Sequence, residues 1–328
     1  MNERGESAVN ATENLKNYIL TRCGLDAVGI APASALADEP VGKRPEDILP
    51  GAKSIIVFIR AIPDGAFQAA FRAKEDGNAD AFASYAAYAR ELTPNMNLFF
   101  MQHRVAQFIE RNFFHTATAI PSGPMQNVTS TNKSLPAFVG AKRVHYVLNS
   151  ERAAMAAGLG EIGWNNAFLT KEFGPRQAIG LVLTSMEFEY DKPYSGEKLC
   201  DPRKCGICAK LCPVGAIPDA AGESEDMGVC GRSCAVAKLN TNACAVASLA
   251  LRREFSGKVK TPDLIMTNSP DDEELAEAFA KKPLNDHALG HHPNYFCDLC
   301  TLYCPLGNWK ERFADKGLSK FDGEGFGK

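Results

Sequence analysis

Two cysteine motifs dominate the C-terminal third of the chain, Cys200-x4-Cys205-x2-Cys208-x3-Cys212-Pro213 and Cys297-x2-Cys300-x3-Cys304-Pro305. A four-iron cube needs thiolates converging from several directions. A tight CxxC turn supplies neighbouring ligands whose backbone amides can also donate to the sulfides. CxxC pairs also hold structural zinc, but zinc sites rarely repeat CxxCxxxCP. The spacing therefore predicts two [4Fe-4S] clusters. In two-cluster ferredoxins the cysteine before proline ligates the other cluster. By that rule Cys200, Cys205, Cys208 and Cys304 hold one cluster, while Cys212, Cys297, Cys300 and one further cysteine hold the second. The first gap in the first motif is four residues where two is usual, and Asp201-Pro202 can form a turn that absorbs it. The spacing leaves Cys230, Cys234 and Cys244 as candidates for the eighth ligand. Cys23, far from either motif, reads as a small buried apolar residue.

The remaining composition agrees with a redox protein of the reducing compartment, where eleven cysteines are metal ligands before they are disulfides. The N-terminus is polar and acidic, without the basic start and apolar run of a signal peptide, so a cytoplasmic protein is expected. No apolar run approaches a membrane span. A formal net charge of -3 gives no general attraction to phosphate backbones or anionic lipid.

The elements that must position these cysteines are partly readable. Residues 12 to 23 read as a helix capped by Thr12, and residues 95 to 111 repeat the helical period through Leu98, Met101, Val105, Phe108 and Ile109. Ala27 to Ile30, Ser54 to Ile59, Val144 to Leu148 and Ile179 to Thr184 read as strands. Strand and helix thus alternate over the first 190 residues, as in a layered α/β or α+β core. Near Tyr190 the composition turns polar and then cysteine-rich, which places a boundary between residues 1–190 and 191–328. Ser269-Pro270 followed by DDEELAEAFAKK reads as a capped surface helix. A glycine-rich run, GLGEIG from Gly158 to Gly163, can let backbone approach a large flat ligand or its phosphate tail. It can equally serve as a helix-packing turn, and as a dinucleotide fingerprint it is weak.

With these residues in view the chain resembles the superfamily of epoxyqueuosine reductases and reductive dehalogenases. The resemblance rests on RPEDILPGAKSIIVF (44 to 58), on AAGLGEIGWNNAFLTKEFGPRQ (156 to 177) and on the cysteine framework ending in CDLCTLYCP. It implies an α+β chain, with a nitroreductase-like core over residues 1–190 and a ferredoxin-like domain over 191–328. It also implies a base-off cobalamin between them, with Gly158, Leu159, Gly160, Glu161, Gly163, Trp164, Asn165 and Arg176 as candidate contacts. Through LNTNACAVASLAL it selects Cys244 as the eighth ligand and leaves Cys230 and Cys234 without a role.

Reduction at cobalt also needs a proton donor. Where epoxyqueuosine reductases carry an aspartate in a segment resembling DSAPxxER, this chain has HYVLNSER, and His145 stands at the acid's position. His145 and Tyr146 are therefore the candidate donors, with Asn149 as a polar neighbour of the substrate. Tyr85, Tyr88, Lys142 and Arg143 are further candidates for lining the site. Trp164 and Trp309 can shield a cluster from water, and the doublet His291-His292 reads as solvated. The expected activity is reduction of a small organic substrate, by halide removal or C–O reduction, fed by a ferredoxin or flavodoxin. An electron carrier serving another protein's corrinoid is the alternative from a different class. Action on tRNA is disfavoured by the missing aspartate.

Overall fold

The computed structural model describes residues 8–86, 93–120, 148–255, 263–281 and 297–307. Its centre is the run SIIVFIRA, strand β2 (Ser54–Ala61), which pairs with β1 (Ala27–Pro32) on one side and β6 (Gln177–Thr184) on the other. A strand buried on both faces reads as an unbroken apolar run, and that is the character of β2. β3 (Ala117–Ile120) closes the order β1-β2-β6-β3, and every pairing in this sheet is antiparallel.

Period-two alternation divides the sheet's side chains between two cores. Ile56, Phe58 and Val182 pack with Leu15 and Ile19 and with Leu98, Val105 and Ile109, from helices α1 (Ala8–Asn17, continued by a π turn, Tyr18–Arg22) and α5 (Thr93–Phe113). Ile55, Val57, Ile59, Leu181 and Leu183 pack on the opposite face against helix α6 (Ser150–Ala156) and its flanks. Between these elements run α2 (Pro45–Ile48), α3 (Asp64–Glu75) and α4 (Ala79–Ala86). The result is helix, sheet, helix.

Three expectations are refined. Thr12 lies inside α1, and its hydroxyl accepts from the Glu189 amide at 2.9 Å instead of capping the helix. Only Leu148 of the expected strand Val144 to Leu148 lies within the described residues, and it is buried. The acidic helix is α9 (Asp272–Lys281). Its start is bonded by Asp271, which accepts from the Glu273 and Glu274 amides, and Leu275 and Ala278 bury one face.

Packing runs straight through the compositional change at Tyr190. The Asp191 carboxylate accepts from the Ile30 amide at 2.8 Å and from Lys16 at 2.7 Å, tying the polar stretch to β1 and α1. Farther on, β7 (Ser224–Asp226) and β8 (Ala235–Ala237) form a hairpin that sends Val229, Cys234 and Val236 into the α6 side of the core. The change in composition marks where the chemistry changes, while residues beyond it complete the first core. Among the described residues no helix is long and apolar enough to cross a membrane.

Candidate metal centre

The first motif is built by turns. Lys204 and Cys205 amides donate to the Asp201 carbonyl, and the Arg203 amide donates to the Asp201 carboxylate, so the longer gap is folded into a compact loop. Gly206 then takes φ +62°, and helix α7 (Ile207–Leu211) carries Cys208 and ends at Cys212. The second motif is carried by helix α10 (Leu299–Leu302), which holds Cys300 and leads to Cys304, and α7 packs on α10. Between the motifs, Asn240 caps helix α8 (Thr241–Ser248) by accepting from the Ala243 amide at 2.9 Å, and α8 carries Cys244.

The cysteines fall into two neighbourhoods. Cys200, Cys208, Cys212 and Cys300 pack on Trp164, Ile217 and Ala237. Cys212, Cys244 and Cys297 pack on Val214, Ala216, Ala243 and Ala247. Burial also raises several of these thiols. Burial pushes the Cys304 thiol up to about 11, and the cysteines that add to the rise are Cys200 and Cys205 of the other motif. Burial likewise pushes Cys297 up to about 12, with Cys300 and Cys244 adding to it. Cys208 also stands at about 12, raised by burial and then by Cys200, Cys300 and Cys205. Backbone amides point at the sulfurs, from Trp164 to Cys200 at 3.4 Å and from Ala216 to Cys212 at 3.1 Å. Among the described residues no three His, Cys, Asp or Glu side chains are arranged to hold a single metal ion. The donor set is instead all thiol, lined by apolar side chains and supplied with amide donors, and this chemistry fits iron–sulfur clusters.

The remaining cysteines are elsewhere. Cys23 is buried among the side chains between α1 and α5, as a small apolar residue would be. Cys234 is buried on the α6 side of the sheet with its thiol toward the Ile162 carbonyl at 3.3 Å. Cys230 is exposed, and with Gly231 it makes the two-residue tip of the hairpin, both at positive φ. The Val229 and Arg232 amides and carbonyls bond each other across that tip.

Residues expected to touch a corrinoid have other occupations. At Gly158 a side chain would meet the Lys192 carbonyl, and at Gly160 the Leu169 carbonyl, so these glycines admit the chain's own backbone. At Gly163 a side chain would meet that of Leu169. Leu159 packs on the core, and the Asn165 side chain accepts from the Ala167 amide at 3.4 Å. Glu161, in the short strand β4 (Glu161–Ile162), which pairs with β5 (Phe168–Leu169), accepts from the Leu199 amide at 2.5 Å and the Cys200 amide at 3.0 Å. Trp164 lies on the cysteines, with its indole N–H donating to the Pro218 carbonyl. Arg176, 1% exposed, donates to the carbonyls of Cys304 and Leu306. Glu161 and Trp164 thus hold the start of the first motif and Arg176 the end of the second, roles that their spacing did not reveal.

Asn149 caps α6, accepting from the Arg152 amide at 3.0 Å. It also lines a cavity of about 620 Å³ with Asp38, Glu39, Arg152 and the hairpin residues Glu225 to Ser233. Arg152 is paired there with Glu39 at 2.6 Å and Asp38 at 2.7 Å. Tyr85 is exposed on α4. His145, Tyr146, Tyr88, Lys142, Arg143, His291, His292 and Trp309 lie outside the described residues.

No protein-family model matches the chain. The tetrachloroethene reductive dehalogenase of Desulfitobacterium hafniense is 44% identical over 66 residues, 20% of this chain and 12% of the dehalogenase. The epoxyqueuosine reductase of Listeria monocytogenes is 27% identical over 158 residues, 48% of this chain and 29% of the reductase. A crystal structure of selenomethionine-labelled epoxyqueuosine reductase matches with a TM-score of 0.50 at 17% identity, covering 92% of this chain and 66% of that one. The aligned stretches thus span less than a third of these two curated relatives, and the structural match speaks for the fold. In sequence the chain is thus similar over short stretches to reductive dehalogenases and epoxyqueuosine reductases, and in fold to an epoxyqueuosine reductase.

Proposed function

We propose that this chain is an iron–sulfur reductase holding two [4Fe-4S] clusters, one on Cys200, Cys205, Cys208 and Cys304 and the other on Cys212, Cys244, Cys297 and Cys300. The observation that carries the reading is the convergence of both motifs and α8, with Cys200, Cys208, Cys212 and Cys300 packed around Trp164 and Cys212, Cys244 and Cys297 packed around Val214 and Ala243. In this reading residues 191–328 are a ferredoxin-like electron-transfer unit and residues 1–190 a nitroreductase-like core. The clusters supply one-electron transfer. Everything else is done by the protein: α7, α8 and α10 bring the thiols together, Trp164 and its apolar neighbours exclude water, and backbone amides donate to the sulfurs. A ferredoxin or flavodoxin is the proposed donor.

For the acceptor we look to the relatives, whose names point to reductive removal of chloride and to reduction of epoxyqueuosine. The proposed final acceptor is a small organic substrate reduced through a corrinoid. Of the residues assigned to the corrinoid from sequence, Gly158 and Gly160 admit the chain's own backbone and Arg176 binds carbonyls. The same observation favours a second reading, an electron carrier or reductive activator that serves a corrinoid on another protein. Anaerobic reconstitution with iron, sulfide and cobalamin, followed by gel filtration and absorption spectroscopy, separates the readings. Co-elution of corrinoid with iron supports the reductase, iron alone supports the carrier, and a chain that takes up no iron overturns both.

A further inference from the structure

The hairpin tip VCGRSC was left without a task by its cysteines, yet its arginine has one. Arg232 donates to the Tyr194 carbonyl at 2.5 Å and reaches the Gly196 carbonyl at 3.4 Å, with its guanidinium over the Tyr194 ring. The same guanidinium meets the Glu161 carboxylate at 3.4 Å. Glu161 is 5% exposed, and its other oxygen accepts from the Leu199 and Cys200 amides. The stretch from Tyr194 to Cys200 is therefore clamped at both ends by one ion pair. Arg232 can reach it because the hairpin is anchored by Val229, Cys234 and Val236 in the core.

We infer that Glu161 and Arg232 are positioning residues for the cluster that Cys200 helps to hold, and that their opposed charges set its reduction potential. This rests on the cluster reading above. A buried carboxylate beside a cluster ligand opposes addition of an electron, because two like charges in a poorly polarisable interior repel strongly. The adjacent guanidinium offsets that repulsion. Reduction adds one electron from a low-potential donor of the ferredoxin or flavodoxin type to the cluster, and no protein bond is made or broken. The clamp also fixes the first ligand's backbone, so charge and geometry are set by the same pair of residues.

The test uses the full chain reconstituted anaerobically, with each cluster's midpoint followed by electron paramagnetic resonance during a potentiometric titration. E161Q keeps an oxygen for the two amides but removes the charge, and it should raise the midpoint of one cluster only. R232Q, at a partly exposed position, should lower the same midpoint, and R232K should recover part of that shift. Circular dichroism establishes that each variant is folded. Two clusters whose midpoints ignore both substitutions, or move together, overturn this inference and leave the cluster reading intact. A wild-type chain that binds no iron overturns both.

Discussion

Arg176 and Cys304 stand 128 residues apart in the chain, yet the guanidinium donates to the cysteine's carbonyl oxygen at 2.9 Å. A second arm of the guanidinium reaches the Leu306 carbonyl. Arg176 immediately precedes β6, so one side chain ties the start of that central strand to the end of the second cysteine motif. A planar fork with several donors suits this task better than a point charge.

R176M should leave the partly buried Cys304 and Leu306 carbonyls without their donor, at a cost on the order of 1–3 kcal/mol. The loss should appear as a lower urea midpoint and as incomplete iron uptake, because Cys304 is the ligand nearest the lost contacts. R176K keeps the charge but not the fork and should fall between. Wild-type iron content in R176M would separate this contact from the metal centre.

The crossed arrangement makes a prediction that an uncrossed one reverses. With two four-iron cubes the wild-type chain should take up about eight irons, and C200S/C304S should retain about four because both lesions fall in one cluster. C297S/C304S strikes both clusters and should retain little. If each motif kept its own prolyl-flanked cysteine, the second pair would spare a cluster and the first would not. C244S should lose one cluster, while C230S and C234S should keep both. Iron and acid-labile sulfide assays decide between these outcomes.

Much of this framework was legible in sequence, for identifiable reasons. β2 and β6 are buried on both faces, so they appear as continuous apolar runs, and α5 shows its period because one face meets the sheet. The cysteines declare themselves by type and spacing. By contrast, GLGEIG has the same spacing whether a ligand or the carbonyls of Lys192 and Leu169 fill the space beside it. Glu161 and Arg176 were legible as polar residues in a motif, but their work depends on segments 38 to 130 residues away, beyond the reach of any local pattern. Thr12 has the chemistry of a cap and sits inside the helix, because Glu189 offers it a tertiary partner.

The loop entering α2 carries a pH-dependent contact. Asp47 accepts from the Arg44 guanidinium through both oxygens, at 2.8 and 2.9 Å, and from the Gly42 amide at 2.8 Å. These bonds, the Arg44 side chain first, lower its pKa to about 2. Because folding lowers the value, the stabilisation is fully present above the ordinary carboxylate pKa of about 4 and is lost as the pH falls through the folded value. D47N should therefore melt slightly below wild type at neutral pH, with the gap closing as the pH drops below about 4. Added salt should shrink it further, as for any exposed pair. A gap that persists unchanged at pH 2 would assign the effect to something other than this carboxylate.

Asn149 offers the last test, because a helix cap and a substrate contact ask different things of it. Its side-chain oxygen serves the Arg152 amide, and aspartate can do that equally well. N149A should cost about 1 kcal/mol of stability, and N149D should keep wild-type stability. The side chain also faces the cavity shared with Arg152 and the hairpin, where its amide N–H is the group that aspartate cannot replace. If the cap is its whole role, N149D should match wild type both in unfolding and in turnover of any substrate identified by the reconstituted chain. A stable N149D with lowered turnover would instead give the amide a part in binding, and would move the search for the substrate to the 620 Å³ cavity beside α6.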